Sequence, residues 1–115
     1  MKLQTDKGYV SMSAEVVAVI AGNVTAGCFG IKGMAARSVR DGLVHLLRRE
    51  SATKGIKVTP INDNTAVIEL HVAIEHNINI AAVCMSVISD VRYHVEYLTG
   101  IRIDSVDICV DSIMT

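Results

Sequence analysis

The chain has 115 residues and a net charge of −1, enough for one hydrophobic core and too few for two ordinary domains. Half of its residues are hydrophobic but only four are aromatic, so the core must be built from Val, Ile, Leu and Ala, with no aromatic platform for stacking bases. No apolar run approaches the roughly twenty residues of a membrane span. Lys2 and Lys7 are followed by no apolar signal segment, and the three cysteines show no CxxC spacing. A cytoplasmic protein with reduced thiols is expected.

Charge is unevenly distributed along the chain. Residues 32 to 57 balance at +5, residues 58 to 115 at −6, and the first 31 at zero. If that order survives folding, one side is basic and the other acidic, favouring head-to-tail association or an oriented encounter with a charged partner. Two solvated faces are the plainer reading.

In chain order, Gly8 to Met12 is a short strand candidate, and Ser13 is placed to cap a helix with Glu15 in its first turn. Met12 and Val17 suit a hydrophobic staple across that start. Val16, Val17, Val19, Ile20 and Val24 supply the apolar face, which ends at Gly27-Cys28-Phe29-Gly30. A loop through Gly33 is expected, then a second helix on Val39, Leu43, Leu46 and Leu47, whose basic end Arg48-Arg49 suits the helix dipole. Ile56 to Thr59 reads as a strand, and Pro60 to Asn64 as a turn into a longer one.

From Thr65, Ala66, Ile68, Leu70, Val72 and Ile74 alternate with Thr65, Glu69, His71 and Glu75, the period of a strand with one buried face. Asn79 can cap a helix in which Ile80, Cys84, Val87, Ile88, Val91, Val95 and Leu98 form a stripe, and Thr99-Gly100 ends it. Val106, Ile108 and Val110 then alternate with Asp107, Cys109 and Asp111, while Ile101 and Ile103 hold the opposite parity. This predicts a bulge near Asp104-Ser105. A helix of about twenty residues between two strands favours parallel pairing with a right-handed crossover. The order is β-α-α-β-β-α-β, a two-layer α+β sandwich: one domain over 1–115, a mixed sheet of about four strands with helices on one face.

The open sheet face collects Glu69, His71 and Glu75 from one strand and Asp107, Cys109 and Asp111 from the other, beside Val67 and Ala73. Residues two apart share a face about 7 Å apart, so His71, Cys109 and Asp107 could form a metal site or a Cys-His pair. Any wet sheet face gathers such residues, and a solvated or interface face is the leading reading. His94 follows Asp90 by four residues, an ordinary helical pair. No HExxH, GxSxG, Walker or dinucleotide motif occurs, so no catalytic, cofactor or metal residues are assigned and no enzyme is expected. The loop Gly27 to Gly30, between two expected helices, has the GxxG form with which a KH domain grips a nucleic-acid backbone. Its middle residues are Cys and Phe and the acidic half lacks phosphate affinity, so a KH-like binder using this loop and basic residues 32 to 57 is the alternative.

An ordered set of short pieces carries a resemblance over about residues 8 to 113. These are Gly8-Tyr9-Val10-Ser11-Met12-Ser13-Ala14-Glu15-Val16-Val17 with Ile20-Ala21-Gly22, then Phe29-Gly30-Ile31-Lys32-Gly33-Met34 and Gly55-Ile56-Lys57-Val58. Asn79-Ile80, Tyr97-Leu98-Thr99-Gly100 and Val106-Asp107-Ile108-Cys109-Val110 close the set. In these the chain resembles the alkaline shock protein family, envelope stress response proteins best represented in Gram-positive bacteria. That family usually has a glycine in the turn before the second long helix. Here the stretch is Glu75-His76-Asn77-Ile78-Asn79, where Asn can adopt a left-handed conformation instead. The resemblance implies a small non-enzymatic cytoplasmic protein that self-associates, reaches the membrane through a protein partner and supports cell-envelope homeostasis. The uneven charge, and not the resemblance, supplies two candidate partner surfaces: the basic stretch Arg37, Arg40, Arg48, Arg49 and Lys54, and the acidic sheet face Glu69, His71, Glu75, Asp107 and Asp111.

Overall fold

A computed structural model describes residues 1–34 and 55–114. The second expected helix, and with it Arg37, Arg40, Arg48, Arg49 and Lys54, lies outside the described residues. The elements are β1 (Lys2–Thr5), β2 (Gly8–Ser11), α1 (Ala14–Ala26), β3 (Ile31–Met34), β4 (Ile56–Asn62), β5 (Thr65–Glu75), α2 (Ile80–Thr99) and β6 (Arg102–Met114). The α+β class is as expected from the sequence.

β5 organises the main sheet. One of its edges pairs antiparallel with β4 along Thr65–Leu70 and with β3 along Val72–Ile74. Its other edge pairs in parallel with β6 over its whole length. Ala66, Ile68, Leu70, Val72 and Ile74 are all fully buried, as the alternation demands. They form one core with Val17 and Ala21 of α1 and with Val83, Val87, Val91 and Val95 of α2. Burying side chains of this size stabilises the fold by about 1.5–3 kcal/mol each.

Several expectations are corrected. The strand at Gly8 does not join the main sheet. It pairs with β1, which the sequence reading passed over, in a separate two-stranded hairpin. The fourth strand is instead β3, in the stretch expected to be loop; it is short and irregular, with a register shift between Ile31 and Gly33. β4 continues through Pro60 to Asn62, so the turn is reduced to Asp63 and Asn64. Pro60 pairs with Ala66 and a register shift follows it.

Both helices start as expected and bury a face rotated from the expected one. Ser13 accepts a hydrogen bond from the Val16 N–H, and Asn79 from the Ala82 N–H. In α1 the buried residues are Val17, Ala18, Ala21, Gly22 and Thr25, while Val16 is exposed. Small side chains let this helix lie close to its neighbours. In α2 the buried row is Val83, Val87, Val91, Val95 and Thr99, and Leu98 is on the outside. Hydrophobic residues occupy two adjacent rows of α2, so hydrophobicity alone does not say which is central.

Gly100 ends α2 in the left-handed region, its N–H donating to the Glu96 carbonyl, and Asn77 takes φ 63° in the turn before the helix. The expected bulge is present: Ala66 pairs with Ile103 and Val67 with Ser105, leaving Asp104 as the extra residue. Two α2 side chains pin it. The Arg92 guanidinium donates to the Asp104 carbonyl at 2.7 Å, and the Glu96 carboxylate accepts from the Ile103 N–H at 2.8 Å. The extra residue turns Ile101, Ile103 and Val106 all toward the core.

Candidate functional site

The open face of the sheet is built in cross-strand rows. Lys57 of β4, Glu69 of β5 and Asp107 of β6 form one row, and His71 and Cys109 form the next. β6 then has a second bulge: Val72 pairs with Val110 and Ala73 with Ser112, so Asp111 is unpaired in the ladder. Bulges are rare in parallel pairs and re-aim side chains where they occur. Here Asp111 reaches back to His71, Oδ2 lying 3.0 Å from Nδ1. The other ring nitrogen, Nε2, lies 2.6 Å from Glu69 Oε2.

His71 is thus held between two carboxylates, one from its own strand and one from β6. The hydrogen bond with Glu69, then that with Asp111, raises its pKa above the usual imidazole value against the opposing effect of desolvation. Cys109 adjoins this pair. Its thiol pKa is also raised, first by burial and then by the charges of Glu69, Asp111 and Asp107. One donor atom from each of Glu69, His71 and Cys109 lies within 4.8 Å of the other two.

The structure therefore brings Glu69, His71 and Asp111 into direct contact and sets Asp107 beside Glu69 in the ladder. Glu75 stands apart at the strand end, opposite Met114. The His94 pairing differs from expectation, because its Nδ1 lies 2.9 Å from the Asp90 backbone carbonyl instead of the carboxylate. The Asp90 carboxylate instead accepts a long contact from the Cys28 thiol. That neighbour and, first, burial raise the Cys28 pKa. Cys84 is raised by burial.

The loop at Gly27 does not join two helices. It runs from α1 directly into β3, so the local geometry of a KH loop is absent from it. Gly30 has φ 88°, and a Cβ there would lie 2.7 Å from Ile78 Cδ1. Packing and backbone conformation account for this glycine. Phe29, beside it, is 78% exposed.

Two surface features escaped the sequence reading. Tyr93 and Tyr97 stack on the outer side of α2, ring centroids 6.1 Å apart and planes 7° from parallel, both largely exposed. Their four-residue spacing was the available signal. The second is the outer edge of β6, which among the described residues pairs with no strand; an edge is a property of topology, and no residue pattern announces it.

Fold and site together define an α+β protein whose mixed sheet carries helices on one face and a polar array on the other. The chain belongs to the ASP-23 (alkaline shock) family, described by a cell envelope-related function, which it matches over residues 2–115. It is similar to YloU, an uncharacterized protein of Bacillus subtilis (strain 168), with 32% identity over 98% of this chain and 94% of that protein. It is also similar to Spy1614, an uncharacterized protein of Streptococcus pyogenes serotype M6, with 27% identity over 98% and 93%. No solved structure matches it. Among the described residues, no helix is long and apolar enough to cross a membrane.

Proposed function

We propose that this protein is a non-enzymatic cytoplasmic interaction protein of the cell envelope, which self-associates and is recruited to the membrane by a protein partner. The observation that carries this reading is the outer edge of β6, thirteen residues long and unpaired among the described residues. A long free edge presents a row of backbone donors and acceptors, a ready template for a strand from another chain. Ile113 and Met114, about half exposed at its end, add apolar area. The exposed Tyr93–Tyr97 stack supplies the kind of aromatic surface enriched where proteins meet. Membership of a family with a cell envelope-related function supports the setting.

Sedimentation equilibrium over a range of concentrations tests self-association. The expected result is a mass that rises above the monomer in the native chain and falls back when Ser112→Lys and Ile113→Lys place charge on the edge. A monomer at every concentration overturns it. Recruitment through a partner is tested by flotation with anionic lipid vesicles. The purified protein should stay unbound, and direct binding would replace the partner with the lipid.

A further inference from the structure

We propose that Glu69, His71 and Cys109 form a binding site for a Zn²⁺-class divalent transition metal, with Asp111 orienting the imidazole. The proposal is independent of the interaction reading and stands if self-association fails.

Ligand chemistry comes first. A carboxylate oxygen, an imidazole nitrogen and a thiolate sulfur are the three donor types that zinc accepts, whereas Ca²⁺ and Mg²⁺ prefer oxygen alone. The three donor atoms already lie within 4.8 Å of one another. A common ion with bonds of about 2.0–2.3 Å holds tetrahedral ligand atoms about 3.3–3.7 Å apart, so Glu69 and His71, now 2.6 Å apart, would open slightly and the Cys109 sulfur would close in, small changes for half-exposed side chains on two paired strands. His71 and Cys109 are held opposite each other by the ladder, so the backbone does not have to move.

A metal-bound histidine almost always donates its other ring N–H to a carboxylate or carbonyl, which fixes the tautomer and raises the basicity of the ligating nitrogen. Asp111 is in that position: its Oδ2 lies 3.0 Å from Nδ1, so that with a metal on Nε2 the Nδ1–H would donate to it. The second bulge of β6 places Asp111 there. Nε2 and Glu69 Oε2 lie 2.6 Å apart, a contact that needs a shared proton; a metal would replace that proton, with both atoms becoming ligands.

Electrostatics points the same way. A divalent cation would also be attracted by Glu69, Asp107 and Asp111, the three carboxylates on this part of the sheet face. Binding releases the Cys109 proton and the His71 proton when present, so affinity rises with pH. The groups facing the site are Glu69, His71 and Lys57 from β5 and β4, and Asp107, Cys109 and Asp111 from β6. Three protein ligands leave a fourth position for water.

The test is calorimetric titration of chelator-treated protein with Zn²⁺, accompanied by Co²⁺ spectra. The expected result is one ion per chain and a thiolate-to-cobalt charge-transfer band. Cys109→Ser should abolish the band and weaken binding at least tenfold, as should His71→Ala. Asp111→Asn should weaken it about tenfold, the usual range for an orienting partner. Cys84→Ser, away from the site, should leave both readouts unchanged. Circular dichroism of each variant separates loss of the site from loss of fold. Absence of saturable Zn²⁺ binding, or binding indifferent to Cys109→Ser and His71→Ala in folded variants, overturns the proposal.

Discussion

The two faces of β5 are made by alternate residues of one strand and are organised by different physics. On the inner face, Ala66, Ile68, Leu70, Val72 and Ile74 need only be apolar and of suitable size. On the outer face, Glu69 and His71 meet each other along β5 but gain their cross-strand partners from β6, where Cys109 and Asp111 lie about forty residues further along the chain. Apolar burial is non-directional and roughly additive in area. A hydrogen-bonded polar array depends on register, so its geometry is set by wherever β6 gains or loses a residue.

Substitutions that exchange the demands of the two faces should separate these regimes. Ile68→Ala removes a fully buried side chain and should cost about 2–5 kcal/mol in chemical denaturation. A loss below about 1 kcal/mol would mean that the inner face is loosely packed. Next comes the device that sets the register of β6. Glu96→Ala leaves the part-buried Ile103 N–H without its acceptor and should cost about 1–3 kcal/mol. It should also alter the chemical shift of His71, several residues away along the sheet, if the bulge governs the outer array.

Smaller effects are expected on the outer face itself. Glu69→Gln should change stability at neutral pH by less than about 1 kcal/mol, since the His71 pair is partly exposed. The pH dependence has a definite sign. Because the folded pKa of His71 is raised, its contribution is fully present below the ordinary imidazole value of about 6.5 and is lost as pH rises through the raised folded value. In metal-free protein, denaturation across that window should show the native chain losing stability relative to His71→Gln. A difference that is flat with pH, or of opposite sign, would show that the two carboxylates do not hold the charged ring in solution.

The same contrast explains what could be read from the sequence. The inner face of β5, the cap at Asn79, the stop at Gly100 and the bulge at Asp104 were all legible, because each leaves a local mark in hydrophobic parity or in a residue with special backbone freedom. β1 and β3 were not. Each has four residues, and neither Lys2-Leu3-Gln4-Thr5 nor Ile31-Lys32-Gly33-Met34 sustains a readable alternation. The buried row of α2 was legible in part: Val87, Val91 and Val95 belong to it as expected, whereas Ile80, Cys84 and Ile88 form a second apolar row beside it and Val83 was passed over. The pairing of Glu69 with His71 could be suggested from two-residue spacing. The meeting of His71 with Asp111 could not, since the second bulge leaves a single mark, Ile113 out of parity with Val106, Ile108 and Val110, at the very end of β6.

Pro60 has a consequence for how many copies could assemble. It lies in β4 opposite Ala66, next to a register shift, and its missing N–H leaves the outward edge of β4 one donor short. A neighbouring strand could not zip along that side, whereas no proline interrupts β6 (Arg102–Met114). Where the β6 edge is the one that pairs, two copies joined edge to edge about a twofold axis satisfy each other there, and growth along that edge stops. Pro60 would thus act as a chain terminator, and replacing it with Thr would be the change to watch for the appearance of longer polymers.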